Sequence, residues 1–412
     1  LVQVNETDTV YGLPAVPHAG ADLPEATLGD WITALANDAD GVANETAMFS
    51  ITDTGGVDWI DVSGSADNFG SAIDLRDSAV STLLGVLGNL ALTPGTVIEN
   101  AAGSLADDWL MGNDVDNRLA GNAGADTLDG GLGDDTLQGG AGADVIEAGF
   151  GRDLVEAGAD SDVIMLQSDA VYGYGQAARN VSSAEQVGTG ALVALVGKTK
   201  FETVIDGGIE RDKLVLTDTH DALFLHDAIS GFHADAVLVM DYAGLQSMER
   251  LSGIEEIEAG AGNDIVDLTS PDYFMASAAA GRITVDGGDG RDTVWGGSAD
   301  EDIFGGAGND RLFGGAGVDV LTGGAGADVF EFTRTSDQTT VADFSVVEGD
   351  ALWFLAVGGA VFDAGSLSHL GEVLTLAYQD VPSGDWFDLS LTVAGLGDAF
   401  DLADVSAAVV II

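Results

Sequence analysis

The 412-residue sequence has no cysteine, five histidines, six prolines and only 13 basic residues. Without cysteine there is no disulfide framework and no thiolate metal site, so rigidity has to come from packing or from a hard cation held by oxygen. His18, His220, His226, His233 and His369 never fall into HExxH, the pair of imidazoles one helical turn apart that a zinc hydrolase of that type needs. No serine nucleophile elbow and no phosphate-binding loop is present. The scarcity of lysine and arginine argues against nucleic acid as a partner. No apolar run reaches the eighteen or more residues of a membrane helix, so no membrane span is expected. No signal peptide is recognisable and the chain starts at Leu1 rather than Met, which suggests a processed or partial product whose amino-terminal part lies upstream.

What is abundant is glycine, at 59 residues, and acid, at 69 residues for a net charge of -56. Disorder is the usual reading of such charge, yet 46% of residues are hydrophobic and mean hydropathy is positive at +0.22. A chain that collapses around apolar residues while carrying this charge needs counter-ions. Carboxylates about 4 Å apart repel by roughly 1 kcal/mol in water and about 4 kcal/mol at an effective dielectric near 20.

Residues 103–165 divide into seven consecutive nonapeptides: GSLADDWLM, GNDVDNRLA, GNAGADTLD, GGLGDDTLQ, GGAGADVIE, AGFGRDLVE and AGADSDVIM. They converge on GGxGxDxUx, with U a large aliphatic residue, the period of a calcium-binding parallel β-roll. Glycine lets a six-residue loop turn tightly with carbonyl oxygens facing inward. Aspartate adds a carboxylate, and an all-oxygen donor set suits Ca²⁺ rather than Zn²⁺. The aliphatic residue two places after each Asp points inward on a short strand. Two blocks make one coil, so Leu110, Leu128 and Ile146 should stack on one side and Leu119, Leu137 and Val155 on the other, with coils about 4.8 Å apart. A flexible linker would not place an aliphatic residue every ninth position, and the glycine period is not the three of collagen.

The motif returns in GGDGRDTVW, GGSADEDIF, GGAGNDRLF, GGAGVDVLT and GGAGADVFE over residues 287–331. Degenerate or isolated copies lie between: GGIERDKLV at Gly207, then RLSGIEEIE and AGAGNDIVD over residues 250–267. The candidate carboxylate ligands are therefore Asp108, Asp126, Asp135, Asp144, Asp153, Asp162, Asp212, Asp264, Asp292, Asp310, Asp319 and Asp328. Asn117 replaces Asp in the second block, which loses a charge and keeps an oxygen; Arg152 offsets part of the local negative field.

The first hundred residues differ. TAMFSITD and VDWIDVSG read as strands, and LGDWITALAND is the one plausible short helix. DTVYGL at Asp8, ITDTGGVDWIDVSG from Ile51, and TVIENAAGSLADDWLMGND leading into the first array together resemble the carboxy-terminal domain of serralysin-type secreted metalloproteases, an RTX family, over roughly residues 7–165. The resemblance implies further calcium ligands at the start of the roll: Asp8, then Asp53, Gly55, Gly56 and Asp58, then Glu99 reaching into the first loop. An ordinary β-turn is the alternative for the Asp53 group. The resemblance also implies that carbonyls at the second and fourth positions of each block join the sixth-position side chain. These are Ala106; Asn113 and Val115; Asn122 and Gly124; Gly131 and Gly133; Gly140 and Gly142; Gly149 and Gly151; Gly208; Gly260 and Gly262; Gly288 and Gly290; Gly297; Gly306 and Gly308; Gly315 and Gly317; and Gly324 and Gly326.

The catalytic half of that family is not in this chain, and the sequence departs from the family beyond residue 165. About 120 residues, including VYGYGQAARN, GTGALVALVGKTKF and LFLHDAISGFHADAVLVMDY, precede the second array and read as strands and loops that extend or cap the solenoid, or build a small binding face. In HDALFLHD, His220 and His226 lie six apart beside Asp221 and Asp227, a spacing that suits a polar strand face or, less simply, a metal or sugar site. DQTTVADFSVVEGDALWF resembles the closing element of RTX domains, which implies a last ion at Asp343 and Asp350 while Val341, Phe344 and Leu352 cover the open end. The final DLADVSAAVVII resembles an uncleaved type I secretion signal and also reads as a last strand.

The expected architecture is all-β: a parallel β-roll (RTX solenoid) in two arrays with β-sandwich-like flanking and capping regions. Its divisions are an irregular β region at 1–102, a first roll at 103–165, a strand-rich insertion at 166–286, a second roll at 287–331, and a cap with secretion signal at 332–412. The expected function is a module binding several Ca²⁺ ions, folding on export and supporting type I secretion of an extracellular or cell-surface bacterial protein. Its partners would be calcium, the type I secretion apparatus and the missing amino-terminal part. The alternatives are a calcium-stiffened adhesive or structural surface protein, and the noncatalytic part of a secreted hydrolase, including a metallopeptidase. With a dissociation constant of about 10⁻⁴ M per site, calcium at about 1 mM would contribute roughly 1.4 kcal/mol per site, and nothing where free calcium is far lower.

Overall fold

The computed structural model describes residues 2–3, 10–12, 49–53, 55–65, 69–167, 184–186, 192–194, 199–201, 203–225, 250–269, 281–333, 336, 338–355, 360–363, 366–370, 372–380, 385–394 and 409–411. The expected helix LGDWITALAND, Asp8, His18, His226, His233 and the segment VYGYGQAARN lie outside them. Among the described residues all extended regular structure is β, and no helix is long and apolar enough to cross a membrane. The chain forms two compact units, one of residues 1–167 with 202–212 and one of residues 168–201 with 213–412.

In the first unit the nonapeptide period becomes a two-faced coil. One face stacks Val10–Gly12, Trp59–Asp61, Asn100–Ala102, Arg118–Ala123, Thr136–Ala141, Leu154–Ala159 and Val204–Gly208, every pair parallel. The other stacks Ala72–Asp74, Trp109–Met111, Thr127–Asp129, Val145–Glu147 and Val163–Met165, again parallel. The predicted columns form in register: Leu119 opposite Leu137 opposite Val155, and Leu110 opposite Leu128 opposite Ile146. All six are fully buried. Strand alternation turns them inward, so each coil contributes two aliphatic side chains to a narrow core. TAMFSITD and VDWIDVSG supply strands Phe49–Thr52 and Trp59–Asp61, as their alternation predicts. An antiparallel pair, Val80–Leu83 with Val86–Leu92, flanks the start of the roll.

In the second unit one column runs Leu214, Ile257, Val285, Ile303, Leu321, Val341 and Val393, and the other Leu223, Val266, Val294, Leu312, Phe330 and Leu352. All are buried. Val341 and Leu352 thus extend the two columns, and Phe344, also buried, meets Phe330 with ring centroids 6.4 Å apart. Beyond them Trp386–Val393 pairs in parallel with Thr340–Val341 and antiparallel with Val373–Asp380, so the roll ends in an antiparallel cap. Val409–Ile411 of the terminal segment pairs in parallel with Ala351–Phe354, a last strand.

Candidate metal centres

The loops between strands position the acidic side chains. Most glycines at the second and fourth block positions take left-handed backbone, with φ of 118° at Gly140 and 123° at Gly142. A Cβ at Gly142 would stand 2.0 Å from the Gly124 carbonyl oxygen one coil away. The first glycine is needed for another reason: a Cβ at Gly121 would stand 2.2 Å from Asp126 Oδ2 in its own block. The glycines therefore make room both for stacking and for the carboxylate.

The sixth-position aspartates form a buried ladder. The backbone N–H of Asp108 donates to Asp126 Oδ1 at 2.7 Å, that of Asp126 to Asp144 at 2.8 Å, that of Asp144 to Asp162 at 2.8 Å, and that of Asp162 to Asp212 at 2.8 Å. On the opposite side Asn117 donates to Asp135 at 2.7 Å and Asp135 to Asp153 at 3.0 Å. In the second unit the ladder joins Asp221, Asp264, Asp292, Asp310, Asp328 and Asp350, with N–H to Oδ1 distances of 2.7 to 3.0 Å. A parallel rung runs from the Glu301 N–H to Asp319 Oδ1 at 3.2 Å.

One oxygen each of Asp126, Asp135, Asp144, Asp162 and Asp310 is spent on that ladder, and Glu301 Oε1 accepts the Gly297 N–H at 3.2 Å. The second is buried without a hydrogen-bond partner at Asp126, Asp135, Asp144, Asp162 and Asp310, and likewise at Oε2 of Glu301. An unpartnered buried carboxylate oxygen costs more than a hydrogen bond contributes, so a periodic series of them has to be met by a cation or by protonation. Burial, reinforced by neighbouring carboxylates, pushes Asp135 and Glu301 up to about 9, Asp126 to about 7, and Asp144 and Asp328 to about 6. Asp162 is also pushed up to about 6, by burial and then the charge of Asp160. Asp108, Asp310, Asp319 and Asp350 shift upward for the same first reason.

Among the described residues no three His, Cys, Asp or Glu side chains form a metal-holding cluster. A cation in these loops must complete its shell from backbone carbonyls, which is what the glycines permit. Several second-position carbonyls already accept ladder hydrogen bonds, including Asn113 from Leu132, Gly131 from Phe150, Gly288 from Ala307 and Gly297 from Ala316. Each such oxygen retains a second lone pair. The donor set is all oxygen, with a buried carboxylate oxygen left unpartnered at Asp126, Asp135, Asp144, Asp162 and Asp310, and fits Ca²⁺.

The ends of the ladder differ from its middle. Ser104 donates to Asp108 Oδ2 through its N–H at 2.6 Å and through its hydroxyl at 3.0 Å, and the Ser71 N–H donates to Oδ1 at 2.5 Å. At the far end Asp343 accepts from the N–H groups of Gly323 at 2.9 Å and Gly324 at 2.8 Å, and Asp350 Oδ2 from Ser345 at 2.7 Å. Asp53 and Asp58 are fully buried near the start, where the Gly55 N–H donates to Asp53 Oδ1 at 3.3 Å and the Asp58 N–H to Glu99 Oε2 at 2.7 Å. His220 accepts the Asn263 N–H through Nδ1 at 2.8 Å, a structural contact between coils.

Three features escaped the sequence template. Glu301 fills the sixth position of GGSADEDIF and carries an orphaned oxygen, although it is not an aspartate. LTDTHDALF, residues 216–224, is a further block in frame: Asp221 accepts from Thr217 at 2.9 Å and Leu223 is buried, with threonines where glycines are expected. Fifth-position acceptors stitch successive coils at the loop edge, as Asp107 does to the Ala125 N–H at 2.8 Å, Asp116 to Asp134 at 2.9 Å, and Asn309 to Ala327 at 2.9 Å.

The stretches that carry these loops are similar to repeats of known proteins. A family model described as RTX calcium-binding nonapeptide repeat (4 copies) matches residues 103–137, 129–164, 251–268, 284–312 and 295–330. Metalloprotease AprA of Pseudomonas entomophila is 36% identical over 106 residues, 26% of this chain and 18% of that protein. Serralysin of Photorhabdus laumondii is 43% identical over 71 residues, 17% of this chain and 14% of the relative, and serralysin C of Dickeya chrysanthemi 43% over 69 residues, 17% and 14%. The matched stretch spans less than a fifth of these relatives. The extracellular lipase LipA from Serratia marcescens aligns over 74% of this chain and 40% of its own, at 18% identity and a TM-score of 0.22.

Proposed function

We infer that this chain, whose repeats are RTX calcium-binding nonapeptides related to those of serralysin-type proteases, is a calcium-driven folding module of an exported bacterial protein. The observation that carries this reading is the series of buried, hydrogen-bond-orphaned carboxylate oxygens at Asp126, Asp135, Asp144, Asp162, Glu301 and Asp310. Calcium, when bound, would take six to eight oxygens and supply the positive charge that neutralises carboxylates which water solvates in the unfolded chain. The side chains of Asp126, Asp135, Asp144, Asp162, Asp310 and Asp328 would hold it together with loop carbonyls at the second and fourth block positions. Asp53, Asp58 and Glu99 would serve the first coil.

At low free calcium a chain of net charge -56 repels itself and cannot close loops that bury bare carboxylates. Such an extended chain suits passage through a type I secretion channel. Outside the cell millimolar calcium neutralises the loops, and the aliphatic columns close behind them. The terminal segment around Val409–Ile411 would be both secretion signal and last strand. The remainder of the polypeptide and whatever activity it carries lie with the part that the module escorts.

Limited proteolysis tests the reading. In chelator, cleavage should spread through residues 121–165 and 287–331, and in millimolar calcium those stretches should resist. Equal resistance in both conditions would exclude a calcium-driven module.

A further inference from the structure

One loop of the first roll is built differently from its neighbours. In GNDVDN, residues 112–117, the side chains of Asn113 and Asn117 close on each other and on the preceding coil. Asn117 Oδ1 accepts the Asn113 N–H at 2.7 Å, and Asn117 Nδ2 donates to the Glu99 carbonyl at 2.8 Å and to Asn113 Oδ1 at 3.2 Å. Asn113 Nδ2 donates to the carbonyls of Ile98 at 2.8 Å and Leu75 at 3.2 Å, while its Oδ1 also accepts the Val115 N–H at 3.1 Å.

Each amide nitrogen carries two hydrogens, and all four are spent on oxygen. Three of the four acceptors are backbone carbonyls of the coil before. In the blocks that follow, the equivalent carboxylates of Asp126, Asp135 and Asp144 each keep one buried oxygen without any partner. In GNDVDN nothing is left over. The sixth-position group is neutral, and its oxygen is taken by the Asn113 N–H.

We propose that the Asn113–Asn117 pair is an amide clasp that replaces calcium in the second block, so that this loop closes without an ion whereas the loops that follow it need one. The proposal rests on the calcium reading of the other loops. It reverses the expectation that Asn113, Val115 and Asn117 are ligands. The paired amides present positively polarised hydrogens to the carbonyls of Leu75, Ile98 and Glu99, the task a cation performs elsewhere, and no carboxylate repulsion has to be overcome. The first coil is thereby joined to the residues before the roll without an ion in this loop.

Counting calcium per chain after equilibrium dialysis in millimolar calcium, by atomic emission, decides it. N117A should bind as many ions as the parent protein, whereas N113G/N117D, which restores glycine and aspartate at template positions, should bind one more. Loss of an ion in N117A would overturn the proposal, as would an unchanged count in folded N113G/N117D. Should the double variant fail to fold, as circular dichroism in calcium would show, the N117A count still decides. A parent protein binding no calcium would instead overturn the function proposed above, and with it the contrast drawn here.

Discussion

The backbone N–H of Asp162 donates to Asp212 Oδ1 at 2.8 Å across fifty residues of sequence, with the geometry that joins Asp144 to Asp162 across eighteen. The ladder therefore continues past an insertion with its step unchanged. The same holds in the second unit, where Asp221 reaches Asp264 across forty-three residues and Asp264 reaches Asp292 across twenty-eight. What is repeated in space is the loop with its carboxylate, and rungs fifty, forty-three and twenty-eight residues apart in sequence meet in the same register.

This ladder dictates an unusual acid response. Asp135 and Glu301 are pushed up to about 9, Asp126 to about 7, and Asp144, Asp162 and Asp328 to about 6, all chiefly by burial. Carboxyls whose folded pKa exceeds the unfolded value of about 4 stabilise the fold below that value and lose the contribution as pH rises through the folded pKa. In chelator, β-structure followed by circular dichroism should therefore be greatest near pH 4 and fall between about pH 6 and 9. A metal-free chain that gains structure on going from pH 4 to pH 8 would contradict the burial of these groups.

Removing a ligand should separate the two conditions. Asp135→Asn abolishes a buried charge, so in chelator it should raise stability, while in calcium it should weaken one site. With a site contributing roughly 1.4 kcal/mol at ten times its dissociation constant, a loss of about 1 kcal/mol in calcium is expected. Chemical denaturation with and without calcium measures both signs; the same sign in both would place Asp135 outside any ion site.

Glycine substitutions should follow the loop geometry. Gly142→Ala puts a methyl 2.0 Å from the Gly124 carbonyl oxygen at a φ of 123°, and should cost about 2 to 3 kcal/mol even in saturating calcium. Gly281→Ala meets nothing within 4 Å and should leave the melting temperature nearly unchanged. Equal melting temperatures for the two variants would show that loop stacking contributes little.

The aliphatic columns are the other half of the cohesion. Leu137→Ala removes a fully buried side chain from between Leu119 and Val155 and should cost about 2 to 5 kcal/mol. The comparison is Trp109→Ala, a half-exposed residue whose loss should cost about 1 kcal/mol or less. Thermal denaturation in calcium would rank them, and a larger effect at Trp109 would place cohesion outside the columns.

The rolls were legible in the sequence because one period specifies everything: a glycine pair for the turn, a carboxylate at six, an inward aliphatic at eight. That period alone places Leu119, Leu137 and Val155 opposite one another. Glu301 and LTDTHDALF were missed because a template keyed to Asp and Gly does not register a longer acid, or threonine hydroxyls serving Asp221, although the nine-residue frame continued straight through GGIERDKLV into that block. The Asn113–Asn117 clasp was hidden for a different reason. A side-chain amide offers both donors and acceptors, and which of them faces a carbonyl depends on the preceding coil, which lies fifteen to thirty-eight residues away.

The most direct test of the account is a calcium titration of the chelated chain at pH 7.5 followed by far-ultraviolet circular dichroism. The account predicts little β signal without calcium and a steep, cooperative gain that is complete by millimolar calcium and reverses on chelation. A spectrum already fully β in chelator and unmoved by calcium would contradict it.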